Sequence, residues 1–486
     1  MLIKLDGSGP LALQLYRALR RAILSGALPP GARLPSTRGL AAETGVSRNT
    51  VLLAYAQLLG EGYAAGRRGS GTYVPAELPD AMTAVAASGA PRPAGRRLRA
   101  PRLSRLARRV SGRAVTWAPP PQRVPYDFRY GRPAFGDFPH ATWRRLLARR
   151  ARRVSDRDLD YGPPAGATVL REAIAGYLQR SRAVTAAAEQ VIVVSGSQQG
   201  LDLCARVLLD PGSGVLLEEP HYPGARGVFV AAGAEIVAAP VGEDGLDVGA
   251  LGPSARAVRL AYLTPSHQFP TGVLMSLARR LALLRWAERA GAYVVEDDYD
   301  SEYRYVGRPV ESLQGLDRKG RVIYVGTFSK LLFPALRLGY LVVPAPLLQP
   351  FVNAKALADT GSATLEQLAL ADFIGEGHFE RHVRRARARN AARRTALLEA
   401  IAEHLGDRVE VRAADAGIHV LLWLRGVAAA RLLPALARAE ASGVRAYPVA
   451  LCYRTPPRQA GLILGYAGLG EPQIREGIRL LAHALE

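Results

Sequence analysis

The chain has 486 residues, 49% of them hydrophobic and 22% charged, and its 64 Lys plus Arg against 42 Asp plus Glu give a net charge of +22. That length argues for two to four domains, and the composition is globular, which excludes a disordered, collagen-like or disulfide-scaffold chain. The cationic excess favours a polyanionic partner but has no bearing on the fold. Only Lys4, Lys319, Lys330 and Lys355 are lysines, so each is worth a functional reading. Cys204 and Cys452 are the only thiols, which suits a reducing compartment rather than a disulfide framework. Met1 to Pro30 is interrupted by Arg17, Arg20 and Arg21 and does not read as a signal peptide. No apolar run reaches the ~18 residues of a membrane helix. A soluble, cytoplasmic protein without a membrane partner is expected.

In chain order, Leu11, Leu15, Leu19, Ala22 and Ile23 recur at helical spacing, and Gly26 with Pro29-Pro30 closes that helix. Ser36 is placed to cap a second helix, Thr37 to Thr44, stopped by Gly45. Ser47 is placed to cap a third, with Val51, Tyr55, Leu58 and Leu59 as its inner face. Tyr63–Ala65 and Gly71–Val74 read as strands around a turn at Arg68-Gly69-Ser70. Three helices and a hairpin make a winged helix-turn-helix over residues 1–75. From 76 to 125 the chain is rich in Ala, Pro and Arg, with no acidic residue between Asp80 and Asp127 and nine arginines from Arg92 to Arg113. Such a stretch reads as a linker, serving either as a solubilising tether or as an arm on DNA phosphates, with one short basic helix over Leu103–Val110.

From 126 to 486 short apolar strands (Val191–Val194, Val215–Leu217, Ala257–Leu263, Ala292–Val295, Arg321–Val325, Leu338–Val343) alternate with amphipathic helices. This predicts a mostly parallel α/β sheet buried on both faces. From about 376 a basic helix and further short strands predict a smaller α+β lobe.

Arg48, Asn49 and Thr50 follow Ser47 at the start of the third helix, where a recognition helix meets base edges. Arg38, Arg67 and Arg68 would add phosphate contacts. The strings Leu34-Pro35-Ser36-Thr37-Arg38, Gly45-Val46-Ser47-Arg48-Asn49-Thr50-Val51, Glu61-Gly62-Tyr63 and Gly69–Val74 closely resemble the GntR family of winged-helix repressors. The resemblance implies binding to a double-stranded DNA operator, usually as a dimer.

Open α/β sheets bind ligands beyond the carboxyl ends of their strands. After Val194 comes Ser195-Gly196-Ser197-Gln198-Gln199-Gly200, an anion cradle opening a helix. After Leu217 comes Tyr222, after Val295 come Asp297 and Tyr299, and after Val325 come Thr327 and Lys330, with Arg337 seven residues on. A phosphate cradle, a stacking ring, an acid, a phenol and a lysine are the parts that hold pyridoxal 5′-phosphate (PLP). The lysine condenses with its aldehyde, and the acid keeps its pyridine nitrogen protonated.

Val295–Tyr299, Gly326-Thr327-Phe328-Ser329-Lys330 and Arg337-Leu338-Gly339-Tyr340 resemble fold-type I aminotransferases. The whole chain resembles the MocR/GabR subfamily, regulators that join a GntR head to an aminotransferase-like body. The resemblance implies Lys330 as the Schiff-base lysine, Asp297 on the pyridine nitrogen, Tyr299 on the ring oxygen and Tyr222 stacked on the ring. It assigns the phosphate to Ser197, Gln198, Thr327 and Arg337. Tyr161 would reach the phosphate of the partner subunit's cofactor in a homodimer, whose heads could be exchanged head-to-tail.

Two departures stand out. Phe269 precedes Pro270-Thr271-Gly272 where aminotransferases place Asn, with His267 nearby as a further cofactor contact. Gly461–Tyr466 holds no basic residue where aminotransferases carry the arginine that grips the substrate carboxylate. The expected function is PLP-dependent transcription regulation, with PLP, an amine or an amino acid as effector. A working aminotransferase with a DNA-binding head is the alternative, and a repressor whose body only dimerises is a third class. Without the carboxylate arginine, simple amino acids are expected to bind poorly unless Arg454 or Arg458 reaches in.

Overall fold

A computed structural model describes residues 5–67, 70–78, 102–111, 123–307, 311–413 and 415–486. The chain divides into two compact units, Met1–Pro101 and Arg102–Glu486.

The first unit holds helices α1 (Leu11–Leu24), α2 (Thr37–Thr44) and α3 (Arg48–Gly60) and the antiparallel pair β1 (Ala65–Arg67) and β2 (Gly71–Tyr73). Its core is Leu15, Leu19, Ile23, Leu34, Leu40, Val51, Tyr55, Leu58, Tyr63 and Val74 with their neighbours. The Ser36 hydroxyl accepts from Gly39 N at 3.0 Å and the Ser47 hydroxyl from Thr50 N at 3.1 Å, so both expected caps form. Gly45 ends α2 in the left-handed region at φ +69°. Leu59 is 42% exposed rather than internal, and Ala54 takes its place on the inner face. The hairpin starts two residues later than expected, because Tyr63 and Ala64 are drawn into the core. Arg68 lies outside the described residues.

In the second unit the predicted basic helix is α4 (Arg105–Val110), capped by Ser104. Larger helices include α5 (Thr168–Arg182), α6 (Ser197–Leu208), α7 (Pro223–Ala232) and α8 (His378–His404). The short β3 (Tyr126–Asp127) precedes the main sheet. Its strands are β4 (Val191–Val194), β5 (Gly214–Glu219), β6 (Glu235–Gly242), β7 (Gly245–Leu246), β8 (Val258–Leu263), β9 (Tyr293–Asp298), β10 (Val322–Thr327) and β11 (Gly339–Val342). Their spatial order is β4-β11-β10-β9-β8-β5-β6-β7, parallel from β10 through β6 and antiparallel at β11 and β7. Runs such as Val191-Ile192-Val193-Val194 are fully buried, as expected of a sheet covered on both faces. Apolar clusters lie around Leu170, Ile174 and Phe373 and around Leu201, Val295 and Ile323.

The smaller lobe is the antiparallel sheet of β12 (Val409–Arg412), β13 (His419–Ala428), β15 (Tyr447–Pro448) and β16 (Gln459–Gly465), with α8 packed on it; β14 (Val444–Arg445) pairs in parallel with β3. Residues just after the linker therefore belong with this lobe, a pairing across more than 300 residues that periodicity cannot show.

Alternation along β9 sorts its carboxylates. Glu296 and Asp298 share one face, and Asp297 takes the other. Asp298 accepts from Arg182 Nε at 2.8 Å and from Tyr324 OH at 2.6 Å. Burial opposes its charge, but Arg182 holds its pKa below the ordinary value. Removing one partner of a buried pair costs about 3–5 kcal/mol. Arg182→Met should therefore lower the body's urea midpoint by a corresponding amount, and a change below about 1 kcal/mol would show that Tyr324 alone satisfies Asp298.

Candidate functional site

On the head, Ser47 ends the turn before α3, so that Arg48 and Asn49 stand exposed at its first turn and Thr50 is half-buried. The Thr50 hydroxyl lies 2.8 Å from Ser47 Oγ. Arg38 on α2 and Arg67 on β1 are exposed, and the Arg67 guanidinium lies over the Tyr73 ring at 4.8 Å. Charges on one side of a helix end suit phosphates and base edges.

In the body, a cavity of about 1260 Å³ opens at the carboxyl ends of the parallel strands. Ser197, Gln198, Tyr222, Asp297, Tyr299, Thr327, Lys330 and Arg337 all line it. Ser197 and Gln198 form the first turn of α6, preceded by Gly196 at φ +87°. A Cβ on Gly196 would stand 2.6 Å from the Arg337 guanidinium, which donates to the Ser195 carbonyl. Tyr222 sits at the start of α7 with its ring edge-on to Phe269 at 6.0 Å. Thr327 ends β10, and its hydroxyl accepts from Ser329 N at 3.2 Å.

Asp297 is buried, with Oδ2 accepting from Tyr262 OH at 2.7 Å and Oδ1 lacking a hydrogen-bond partner among the described residues. Burial raises its pKa to about 6, with Tyr262 and Lys330 pulling the other way. Burial likewise lowers the pKa of Lys330. Asp297 opposes that shift, while Arg129 and Arg337 add to it.

His267 is not among the residues lining the cavity. It is buried behind Tyr299, which donates to the His267 carbonyl at 3.0 Å, and its Nδ1 lies 3.0 Å from Asp300 Oδ1. Its place in this structure is to hold Tyr299. Tyr161 is 87% exposed and stands apart from its own chain's cavity. Arg454 is exposed and donates to the Ile236 carbonyl at 3.2 Å, and neither it nor Arg458 lines the cavity. Lys355 is a buried ion pair with Asp359 at 2.7 Å, and Lys319 pairs with Glu288 at the surface.

Sequence reading missed Tyr262, Arg129, Gly131, Arg132 and His419, all of which line the cavity. Tyr262 lies within a strand rather than after one. The others come from β3's continuation and from β13, which only the tertiary fold brings to the sheet.

These parts define an aminotransferase-like body. The family description "Aminotransferase class I and II" matches residues 134–455, and "Bacterial regulatory proteins, gntR family" matches residues 11–74. The chain is 42% identical over 484 residues to the "Probable rhizopine catabolism regulatory protein MocR" of Rhizobium meliloti, covering 99% of this chain and 94% of that one. Among solved structures it is similar to a kynurenine aminotransferase of Pyrococcus horikoshii in complex with PMP (TM-score 0.69, 30% identity, 75% of this chain and 91% of that one). It is also similar to LysN, the alpha-aminoadipate aminotransferase of Thermus thermophilus (TM-score 0.68, 34% identity, 74% and 91%). The chain thus belongs to the MocR/GabR-type transcription regulators, which carry a GntR head on a class I/II aminotransferase body.

PLP is the cofactor for which this site is built. The orphaned Oδ1 of Asp297 fits a protonated pyridine nitrogen, the α6 cradle with Arg337 fits a phosphate, and half-buried Lys330 supplies the amine. Tyr262→Phe should weaken PLP binding up to about tenfold, the effect of one hydrogen bond, as read by fluorescence titration of the apo-protein. Because only the neutral amine reacts, PLP uptake should rise with pH and level off below the ~10.4 of an ordinary lysine. Asp297→Asn should move that curve lower still, since the Asp297 charge is what raises the Lys330 pKa.

Proposed function

We propose that the protein is a cytoplasmic homodimer that binds a double-stranded operator through its heads and senses a small molecule in the Lys330 cavity. The observation that carries this reading is that one chain joins an exposed Arg48–Asn49 helix end to a cavity lined by half-buried Lys330 and buried Asp297. Ser47 and Thr50 fix the start of the recognition helix, Arg48 and Asn49 read base edges, and Arg38, Arg67 and Arg68 bind phosphates. Bound PLP supplies an electron-withdrawing ring. Asp297 holds its nitrogen, Tyr299 its ring oxygen, Tyr222 its face, and Ser197, Gln198, Thr327 and Arg337 its phosphate. Tyr161, exposed on its own chain, contributes to the phosphate site of the partner, with heads exchanged head-to-tail. PLP, an amine or an amino acid is the signal. Turnover as an aminotransferase is a second reading, favoured by the lowered basicity of Lys330 beside Asp297.

Full-length protein should show a visible absorption band that Lys330→Ala removes; a colourless wild type after PLP addition would sink the cofactor reading. Binding to DNA from upstream of its own gene should fall steeply with salt, through counterion release. Arg48→Ala should weaken it more than a change of an arginine on the body. Apo-protein titrated with PLP should change operator affinity by roughly 5- to 150-fold if the sites are coupled, and an unchanged affinity would leave an external ligand as the effector.

A further inference from the structure

The cavity holds more positive charge than the cofactor uses. With Arg337 assigned to the phosphate and Lys330 to the aldehyde, Arg132 remains on the wall formed by the segment after β3; Arg129 lines the same wall and Arg123 lines the cavity from just before β3. The only other carboxylate lining the cavity besides Asp297 is Asp127, among the described residues, and it accepts from Tyr447 OH at 2.8 Å. Arg132 makes no ion pair among the described residues; its guanidinium lies over the Phe135 ring at 4.9 Å. The segment also passes directly over the reactive amine. Gly131 takes φ +68°, and a Cβ there would stand 2.9 Å from Lys330 Nζ.

The place where this segment is seated matters most. Gly465 N donates to the Phe128 carbonyl at 2.8 Å, and a Cβ on Gly465 would stand 2.4 Å from the Arg129 carbonyl oxygen. A Cβ on Gly468 would meet Arg132 Cδ at 3.6 Å. The Arg129 backbone therefore lies against the end of β16 and the Arg132 side chain against the turn just past it, next to the stretch whose own sequence, Gly461–Tyr466, lacks a cation. The charge missing from one strand is delivered to the same wall by another.

We infer that Arg132, with Arg129 beside it, anchors the oxyanion of the effector, which is a primary amine carrying a carboxylate a few bonds away. This inference rests on the PLP reading above. It replaces the expectation that the pocket binds amino acids poorly, because a carboxylate here meets a guanidinium rather than an apolar wall. The amine end faces Lys330 across Gly131, whose missing side chain leaves it room.

The test uses the full-length, PLP-loaded protein and two oxyamines, aminooxyacetate and O-methylhydroxylamine, which share a nucleophile and differ in the carboxylate. In each reaction the oxyamine nitrogen replaces Lys330 Nζ on the aldehyde carbon. One C=N bond forms as another breaks, two protons pass to the lysine nitrogen, and no oxidant is needed. The readout is the rate at which the visible band is lost. Wild type should react at least about tenfold faster with aminooxyacetate, the effect of one charge-assisted hydrogen bond. Arg132→Met should bring the ratio near one while leaving the O-methylhydroxylamine rate unchanged. Arg132→Lys should give an intermediate ratio, and it decides the matter if the methionine variant loses its band. A wild-type ratio near one, or a preference that survives both Arg132→Met and Arg129→Met, overturns the inference and leaves the PLP reading intact. Absence of the visible band in wild type overturns both.

Discussion

A carboxylate taken out of water governs the body's design. Asp297 is held at the carboxyl end of β9, where burial alone would favour its protonated form. Its charge persists only because neighbours on adjacent strands supply what water would have given: Tyr262 from β8 on one side and the Lys330 loop after β10 on the other. The parallel order β10-β9-β8 is therefore an electrostatic requirement as well as a topological one. Displacing any of the three strands would leave a buried charge without its partner. The opposite face of β9 meets the same requirement through Arg182, Tyr324 and the backbone N–H groups of Leu313 and Gln314, which bond Asp298 and Glu296.

Much of this was legible in the sequence because it is local. Caps at Ser36 and Ser47, the stop at Gly45 and the hydrophobic runs of the sheet follow from neighbouring residues, and the structure reproduces them. The lining of the cavity was partly legible because an open sheet gathers its chemistry at and just past the carboxyl ends of its strands, so a short search there finds Ser197, Asp297 and Lys330, which the structure brings to one cavity. What was missed arrives from far along the chain. Tyr262 points into the cavity from within a strand, and β6, whose register includes Pro240, carries no clean apolar run. Arg129 and Arg132 follow a linker and gain meaning only when β3 pairs with β14. His267 was expected as a cofactor contact, but it does not line the cavity, and its Nδ1 faces Asp300.

The departures from the aminotransferase pattern compensate one another. Phe269, in the place of Asn, packs against Tyr130, Tyr222, Tyr299 and His419. An aromatic girdle thus stands where an amide would offer a hydrogen bond. Tyr130 belongs to the segment that carries Arg129 and Arg132, so the residue that replaces the Asn also braces the wall that replaces the arginine. The two substitutions are one rearrangement of the pocket.

Helix α4 bears on how the chain is moored. The Arg109 guanidinium packs on Gly233 and donates to the Ala231 carbonyl at 3.4 Å, which seats α4 at the end of α7. At the other end of α7 stands Tyr222, a ring that lines the cavity. A ten-residue rod with a rise of about 1.5 Å per residue thus carries a cavity-lining ring at one tip and the seat of α4 at the other. The fastening acts as a cleat on a bar: the cavity-lining ring and the anchorage of α4 are held by one helix, so its length alone sets the distance between them.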